Sequence, residues 1–400
     1  MRTEEELVRA LRQAAELAPQ RDLSAAIAVR RRRRTKHRRM GAALAVAAVI
    51  GVAGAGTAIA RGVFSGGGEG GVASRVSESP GEAVASIKTP PKEQAHRKPF
   101  EEVWPKALFT MPAKNADGWR YRPITGISPT EVLVTAQRSR EKTGAIEIYN
   151  SGTGTFRKVT DIPATPGLKR YTPRDVAFDD KSVVWWVYAD KAREIWTAPL
   201  AGGEARMVAT FTREHLGMGA MAVKGEHVYW SEDDGTVWRL PLAGGDPEKI
   251  AEGLHLISWP WAGDVSGLER DSDLNQTKVV NLETGETRQI TAAPGARGLR
   301  CGPAWCLGLG FSQRVDGTDV DPIGSFSGIL LPPILDRYLF VGRTVRDLET
   351  RAKLALPENP SNVIGAGIAD SSAPSTITYW GATTGVEPDA FRIVNLAAAQ

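Results

Sequence analysis

Three tryptophans, Trp186, Trp259 and Trp261, stand outside the repeating pattern of the chain, and the last two belong to the run SWPW, Ser258 to Trp261. An indole on a concave surface offers a broad apolar platform with one hydrogen-bond donor, so these three are the residues expected on a ligand-binding face. Carboxylates alternate in DSDLN (Asp271 to Asn275) and DGTDVD (Asp316 to Asp321), a spacing that offers Ca²⁺ oxygen ligands, although acidic turns of this kind also serve as solvated loops. The five histidines, His37, His96, His215, His227 and His255, are scattered, and the chain has no G-x-S-x-G, H-E-x-x-H or P-loop motif. The expected chemistry is recognition: no catalytic residue, metal ligand or cofactor is assigned, and the chain is not expected to be an enzyme.

The elements that would position these tryptophans emerge when the chain is aligned on itself. IWTAPLAGGEARMVATF (Ile195 to Phe211) matches VWRLPLAGGDPEKIAEG (Val237 to Gly253) at a spacing of 42 residues, and an aromatic run, SVVWWVYAD or EHVYWSEDD, precedes each. Weaker copies lie at Ile146 to Val159, Lys278 to Ile290 and Arg343 to Leu356. A period of about 40 residues with several short strands per unit marks β-propeller blades, so the fold class is all-β, a propeller of six or seven four-stranded blades. Seven follow if Ser312 to Phe326 is a whole blade and six if it is an insertion, and the turn count favours seven. In the clearest unit GAMAV, HVYW, VWRLPL and EKIA read as successive strands, innermost to outermost, with Ala-Gly-Gly in a tight turn and Pro199 and Pro241 at strand ends or bulges. Glu101 to Pro112 reads as the strand that closes the ring with the last blade. Trp185, Trp196, Trp230 and Trp238 recur within the repeats and are expected to pack between blades.

Ahead of the propeller, at residues 101–400, the chain divides into three parts. Residues 1–40 carry 12 Lys or Arg against 5 Asp or Glu; removing them from the totals of 50 and 46 leaves 38 basic and 41 acidic residues, so the basic balance belongs to the arm and does not mark a nucleic-acid-binding domain. Residues 41–60, GAALAVAAVIGVAGAGTAIA, are uncharged and long enough as a helix to cross a bilayer, and the arginines at Arg30 to Arg39 place the N terminus in the cytoplasm. Cleavage after the small residues Ala58 and Ala60 is the competing reading. Residues 61–100, rich in Gly, Ser, Pro and charge, read as a disordered linker. Within the arm, Thr3 to Ala18 reads as an amphipathic helix with a capping box, Thr3 with Glu6, and Leu7, Leu11, Ala14 and Ala18 form the face for a cytoplasmic protein partner. Outside the membrane Cys301 and Cys306, with four residues between them in CGPAWC, are expected to bridge a hairpin; a redox pair usually has two intervening residues, and no neighbouring His or Cys completes a metal site.

The run VYWSEDDGTVWRLPLAGG, Val228 to Gly245, carries two resemblances. Ser231, Asp233, Gly235 and Trp238 match the sialidase-type Asp-box, a folding element of blade hairpins, with Val237 off consensus. One box does not make a sialidase, which would also need a set of arginines, an acid and a Tyr with a Glu partner. Tyr229 and Trp230, followed by Ser-Glu, resemble the "YWTD" repeat, and residues 101–400 resemble the extracytoplasmic TolB-like and YWTD-like propellers. The layout of an arginine-flanked span followed by LAGG repeats resembles actinomycete single-pass membrane proteins. That resemblance implies a binding, sensing or scaffold module at the cell membrane that signals to a cytoplasmic regulator such as a sigma factor. The alternatives are an envelope enzyme acting on glycans or peptides and a tethered ligand-binding module that does not signal.

Overall fold

Five successive residues of one strand, Val183 to Val187, are all buried. Side chains alternate sides along a strand, so such a run forms only where both faces of its sheet are covered. A computed structural model describes residues 98–139, 142–163, 171–189, 192–212, 218–266, 273–324, 331–357, 363–366, 373–382 and 388–399, and it shows how that cover is supplied. Seven four-stranded sheets follow one another as the blades of a propeller. The helix expected at Thr3 to Ala18 with its Leu7, Leu11, Ala14 and Ala18 face, the span at 41–60 and residues 61–97 of the linker lie outside the described residues. The last three residues expected in the linker are ordered, Lys98–Pro99 as a strand and Phe100 at the start of a short helix. Among the described residues no helix is long and apolar enough to cross a membrane.

Blade one comprises Arg120–Gly126, Glu131–Ser139, Lys142–Asn150 and Thr155–Asp161. Blade two comprises Arg174–Phe178, Ser182–Ala189, Ala192–Pro199 and Arg206–Thr212. Blade three, Met218–Lys224, His227–Glu232, Val237–Pro241 and Glu248–Ala251, carries the strands expected from its repeat. Pro199 and Pro241 each end a third strand, paired with Ser182 and His227, where no further ladder donor is required. The LAGG turns follow at once, with Gly202 at φ 114° and Gly244 and Gly245 at 94° and 125°, a region only glycine enters freely. Blade four runs from His255 to Gln289 and blade five from Arg300 to Pro322. The irregular segment from Ser312 thus supplies the outer hairpin of a whole blade, and the count is seven.

Blades six and seven borrow their outer strands from the N-terminal run. Leu108–Pro112 pairs antiparallel with Ala390–Asn395, the third strand of blade seven, and so closes the ring. Lys98–Pro99 pairs parallel with Lys353–Ala355 at the edge of blade six. At the inner edge of blade six, among the described residues, an isolated bridge joins Ile334 to Tyr338, just after Pro332 and Pro333, which have no N–H to give a ladder. Between the two borrowed strands Phe100 is fully buried, and Trp104 packs edge-on against both Phe100 and Tyr338.

The seven hydrophobic clusters among the described residues correspond to the seven blade interfaces. Trp185 faces Trp196 across the ladder and Trp230 faces Trp238, and both pairs pack toward the preceding blade. Polar bolts join the same interfaces. Ser231, the first Asp-box residue, is buried and its Oγ accepts the Leu256 N–H of blade four at 3.1 Å. Buried Gln276 bonds both the N–H and the carbonyl of Cys301. At the closure Asn395 donates to the Ser128 carbonyl, and Thr376 Oγ accepts from the Gly126 N–H at 2.9 Å. A Cβ on Gly126 would lie 2.1 Å from Asn395 Oδ1, so this contact requires glycine.

Cys301 and Cys306 are cross-strand partners in blade five and form a buried disulfide. Burial at the closure and the cross-link each set a measurable stability. Met111→Ala, at a fully buried position of the closing strand, is expected to cost about 2–5 kcal/mol in urea unfolding, and Met207→Ala, 48% exposed, within about 0.5 kcal/mol of zero. Replacing both cysteines by alanine is expected to cost about 2 kcal/mol by the loop-entropy model, and an unchanged urea midpoint would contradict it.

Candidate functional site

The chain crosses the propeller four times per blade, so the turns between first and second strands and those after third strands lie at the same end of the molecule. These turns surround a cavity of about 930 Å³ to which all seven blades contribute. First strands border it at Val176, Met221 and Val223, which are nearly fully buried in the blade interfaces, and at the partly buried Ile257, and its mouth carries prolines at Pro260, Pro303, Pro332, Pro333 and Pro374. Proline suits these turns because its ring fixes φ and no ladder partner awaits its nitrogen.

Trp259 and Trp261 both line this cavity. Trp259 is stacked on Tyr229 of blade three, with ring centroids 3.7 Å apart, and its Nε1 donates to Glu283 Oε1 at 2.9 Å. Burial raises the pKa of the Tyr229 hydroxyl, so at neutral pH that ring is a neutral support. Trp261 lies under the Arg288 guanidinium, 4.9 Å from the ring centroid, and Arg288 in turn donates to the Pro303 carbonyl of blade five. Trp186 is not with them. It pairs with Arg174, at the other end of its blade, where it is 4% exposed, donates to Asp175 and packs against Tyr188 and Arg193. Two of the three tryptophans expected on one face therefore share the cavity, and the third serves the interface between blades two and three.

The cavity also holds groups that sequence reasoning missed. Among the described residues five carboxylates line it, Glu131, Asp179, Asp180, Glu283 and Asp336, against one amine, Lys224. Asp179 accepts from the Lys181 and Ser182 N–H groups and from Gly225 of the next blade. Asp336, in a turn where both Leu335 and Asp336 take φ 52°, accepts from the Ala304 and Trp305 N–H groups of blade five at 2.8 and 3.1 Å. Burial pushes the Asp336 carboxyl up to about 6, outweighing those two donors and the nearby Arg288. For two of these residues a signal was present in the sequence, since Asp179 and Asp180 follow the first strand of blade two directly in FDD, as Pro260 and Pro303 follow theirs in SWPW and CGP.

The acidic run Asp316 to Asp321 lies elsewhere, between blades five and six. Asp319 pairs with Arg314 and Arg351, Asp321 pairs with Arg346, and Asp316 caps the Thr318 N–H. The Asp319 and Asp321 carboxylates thus serve as counterions for arginines. Asp271 lies outside the described residues. Among the described residues no three His, Cys, Asp or Glu side chains gather as a metal-binding group.

No family model matches the chain, and no curated protein matches it. Solved structures similar to it include TolB from Acinetobacter baumannii, at 15% identity and a TM-score of 0.33, over 51% of this chain and 56% of that one. An oligogalacturonate lyase in complex with manganese is 13% identical, with a TM-score of 0.38, over 75% of this chain and 88% of its own. An uncharacterised protein of Listeria monocytogenes is 12% identical, with a TM-score of 0.39, over 60% and 83%. The match to TolB thus spans a little over half of that protein. At these identities the likeness is one of fold.

The Asp336 carboxyl gives the site a pH signature. Its folded-state value of about 6 lies above the ordinary 3.8, so its contribution to stability is complete below about pH 4 and is lost as pH rises through 6. The melting-temperature difference between wild type and Asp336→Asn is expected to move in favour of wild type as pH falls from about 7 to 4.5. A pH-independent difference would show that the carboxyl titrates normally.

Proposed function

We propose that the chain is a membrane-anchored binding module that carries its propeller outside the cell membrane, recognises an envelope ligand in the axial cavity, and reports occupancy to a cytoplasmic regulator through its N-terminal arm. The observation that carries the binding half is the cavity: all seven blades enclose it, and it is lined by Trp259, already stacked and hydrogen-bonded in place, and by Trp261. A side chain fixed before the ligand arrives loses little rotamer freedom on binding, which favours recognition.

Sequence supports the membrane half. The uncharged segment 41–60 follows a run of arginines that resists translocation, and residues 61–97 are too polar to fold on their own. The expected face of Leu7, Leu11, Ala14 and Ala18 would have no core within an isolated arm of 40 residues, so a protein partner, with a sigma factor suggested by the resemblance of the layout, is the surface that covers it.

Two experiments test the halves separately. Single-cysteine variants Ser24→Cys and Ser77→Cys, treated in intact cells with a membrane-impermeant maleimide, are expected to label only at position 77. Labelling at 24, or at neither site, reverses or removes the topology. For signalling, the full-length protein with residues 3–18 shuffled is expected to lose a cytosolic partner that the wild type captures and to fail to complement a deletion strain. Full complementation by the shuffled chain would leave a tethered binding module without signalling.

A further inference from the structure

The lining of the axial cavity is unequal in charge as well as aromatic. Glu131 comes from blade one, Asp180 from blade two, Glu283 from blade four and Asp336 from blade six, so negative charge is spread around the mouth instead of gathered at one point. One oxygen of Glu283 is held by the Trp259 indole N–H, which fixes the carboxylate beside an aromatic platform and leaves its second oxygen available. Between these charges the lining is apolar at Ile257, Pro260 and Pro303, which are only partly buried, while Met221 and Val223 border it from within the interface of blades two and three. A concave site with an excess of one sign of charge, here five carboxylates against Lys224, concentrates counter-ions, and an aromatic face with a carboxylate at its edge attracts ammonium groups.

From this pattern we propose that the axial cavity binds a linear organic polyamine, whose ammonium groups meet the separated carboxylates while its methylene spacers lie along the apolar wall and over Trp259. The inference rests on the reading of the cavity as the recognition site and adds the chemical class of its ligand. A volume of about 930 Å³ admits a flexible chain of this kind with some of its hydration. A single ammonium would meet one carboxylate at a time, so affinity is expected to rise with the number of amines, and added salt weakens it by screening.

The test is calorimetric titration of the full-length protein in detergent with spermine, propylamine and a neutral oligosaccharide, maltoheptaose, at low and at high salt. Spermine is expected to bind saturably and at least tenfold more weakly at high salt, with propylamine showing no saturation at the same concentrations. The double variant Glu131→Gln with Glu283→Gln should weaken spermine tenfold or more, and Glu101→Gln, an exposed carboxylate of the N-terminal run away from the cavity, by less than twofold. The Glu283→Gln change keeps an acceptor for the Trp259 N–H, so an unchanged far-ultraviolet spectrum is expected. Absence of saturable spermine binding up to about 1 mM, or equal binding by wild type and the double variant, overturns the inference. If maltoheptaose instead binds and Trp259→Ala abolishes that binding, the cavity remains a recognition site and only the polyamine assignment falls.

Discussion

Each blade has two apolar faces that, among the described residues, are covered by neighbouring blades and, between blades six and seven, also by the short helical run Phe100–Ala107, and the architecture follows from that constraint. Val183, Trp185 and Val187 pack against blade one, and Val184 and Trp186, their neighbours in the same strand, pack against blade three. A sheet of this kind is stable only between two others, and a row of such sheets has no end that water would tolerate, so the row closes. The closing strand Leu108–Pro112 is therefore as much a part of the core as any repeat: Met111 within it is fully buried, and the interface it completes ties Gly126 and Thr125 to Thr376, 250 and 251 positions away.

Ring closure also makes the cavity. No blade alone has a concave surface, and the residues that line it are distant in sequence, sitting in turns that a solitary sheet would leave in water. Turns at this end answer two demands at once. They bridge blades, as Asp179 does to Gly225 and Asp336 does to Ala304 and Trp305, and they set the charge of the mouth. The raised pKa of Asp336 is the electrostatic cost of combining the two in a half-buried position.

The degree to which this was legible follows from the same physics. Packing demands repeat from blade to blade, so the 42-residue match of LAGG turns and aromatic strands revealed the propeller, the strand order of blade three and the terminal prolines. The closing strand was legible from the place of Glu101 to Pro112 ahead of the first unit, although only Leu108–Pro112 of that run pairs and the rest begins as short helical turns. Blades five and six were harder to read because their described strands are only two to four residues long. Trp186 stands outside the repeat because it is the partner of Trp185 on the opposite side of the strand; its environment is interblade packing, which a list of off-pattern residues does not distinguish from a binding platform. Trp259 and Trp261 also stand off the pattern, and they do line the cavity. The carboxylates escaped notice because charge at a turn serves no packing repeat, and Glu131, Glu283 and Asp336 have no common spacing. The cross-strand pairing of Cys301 and Cys306 was readable because a hairpin of four intervening residues leaves little freedom for their separation.

The borrowed strand at the edge of blade six has a mechanical meaning. A pull on the chain ahead of Lys98 would enter the propeller at Lys98–Pro99, whose ladder with Leu354 and Ala355 is only two residues long and parallel, so that both strands point the same way. Directly behind it Phe100 is seated in the interface of blades six and seven beside Trp104 and Tyr338, with the C-terminal residues Leu396 and Ala399 in the same cluster. A short ladder that yields first, backed by a buried aromatic stop, would let a pull strip an edge while the closing strand and the ring stay intact.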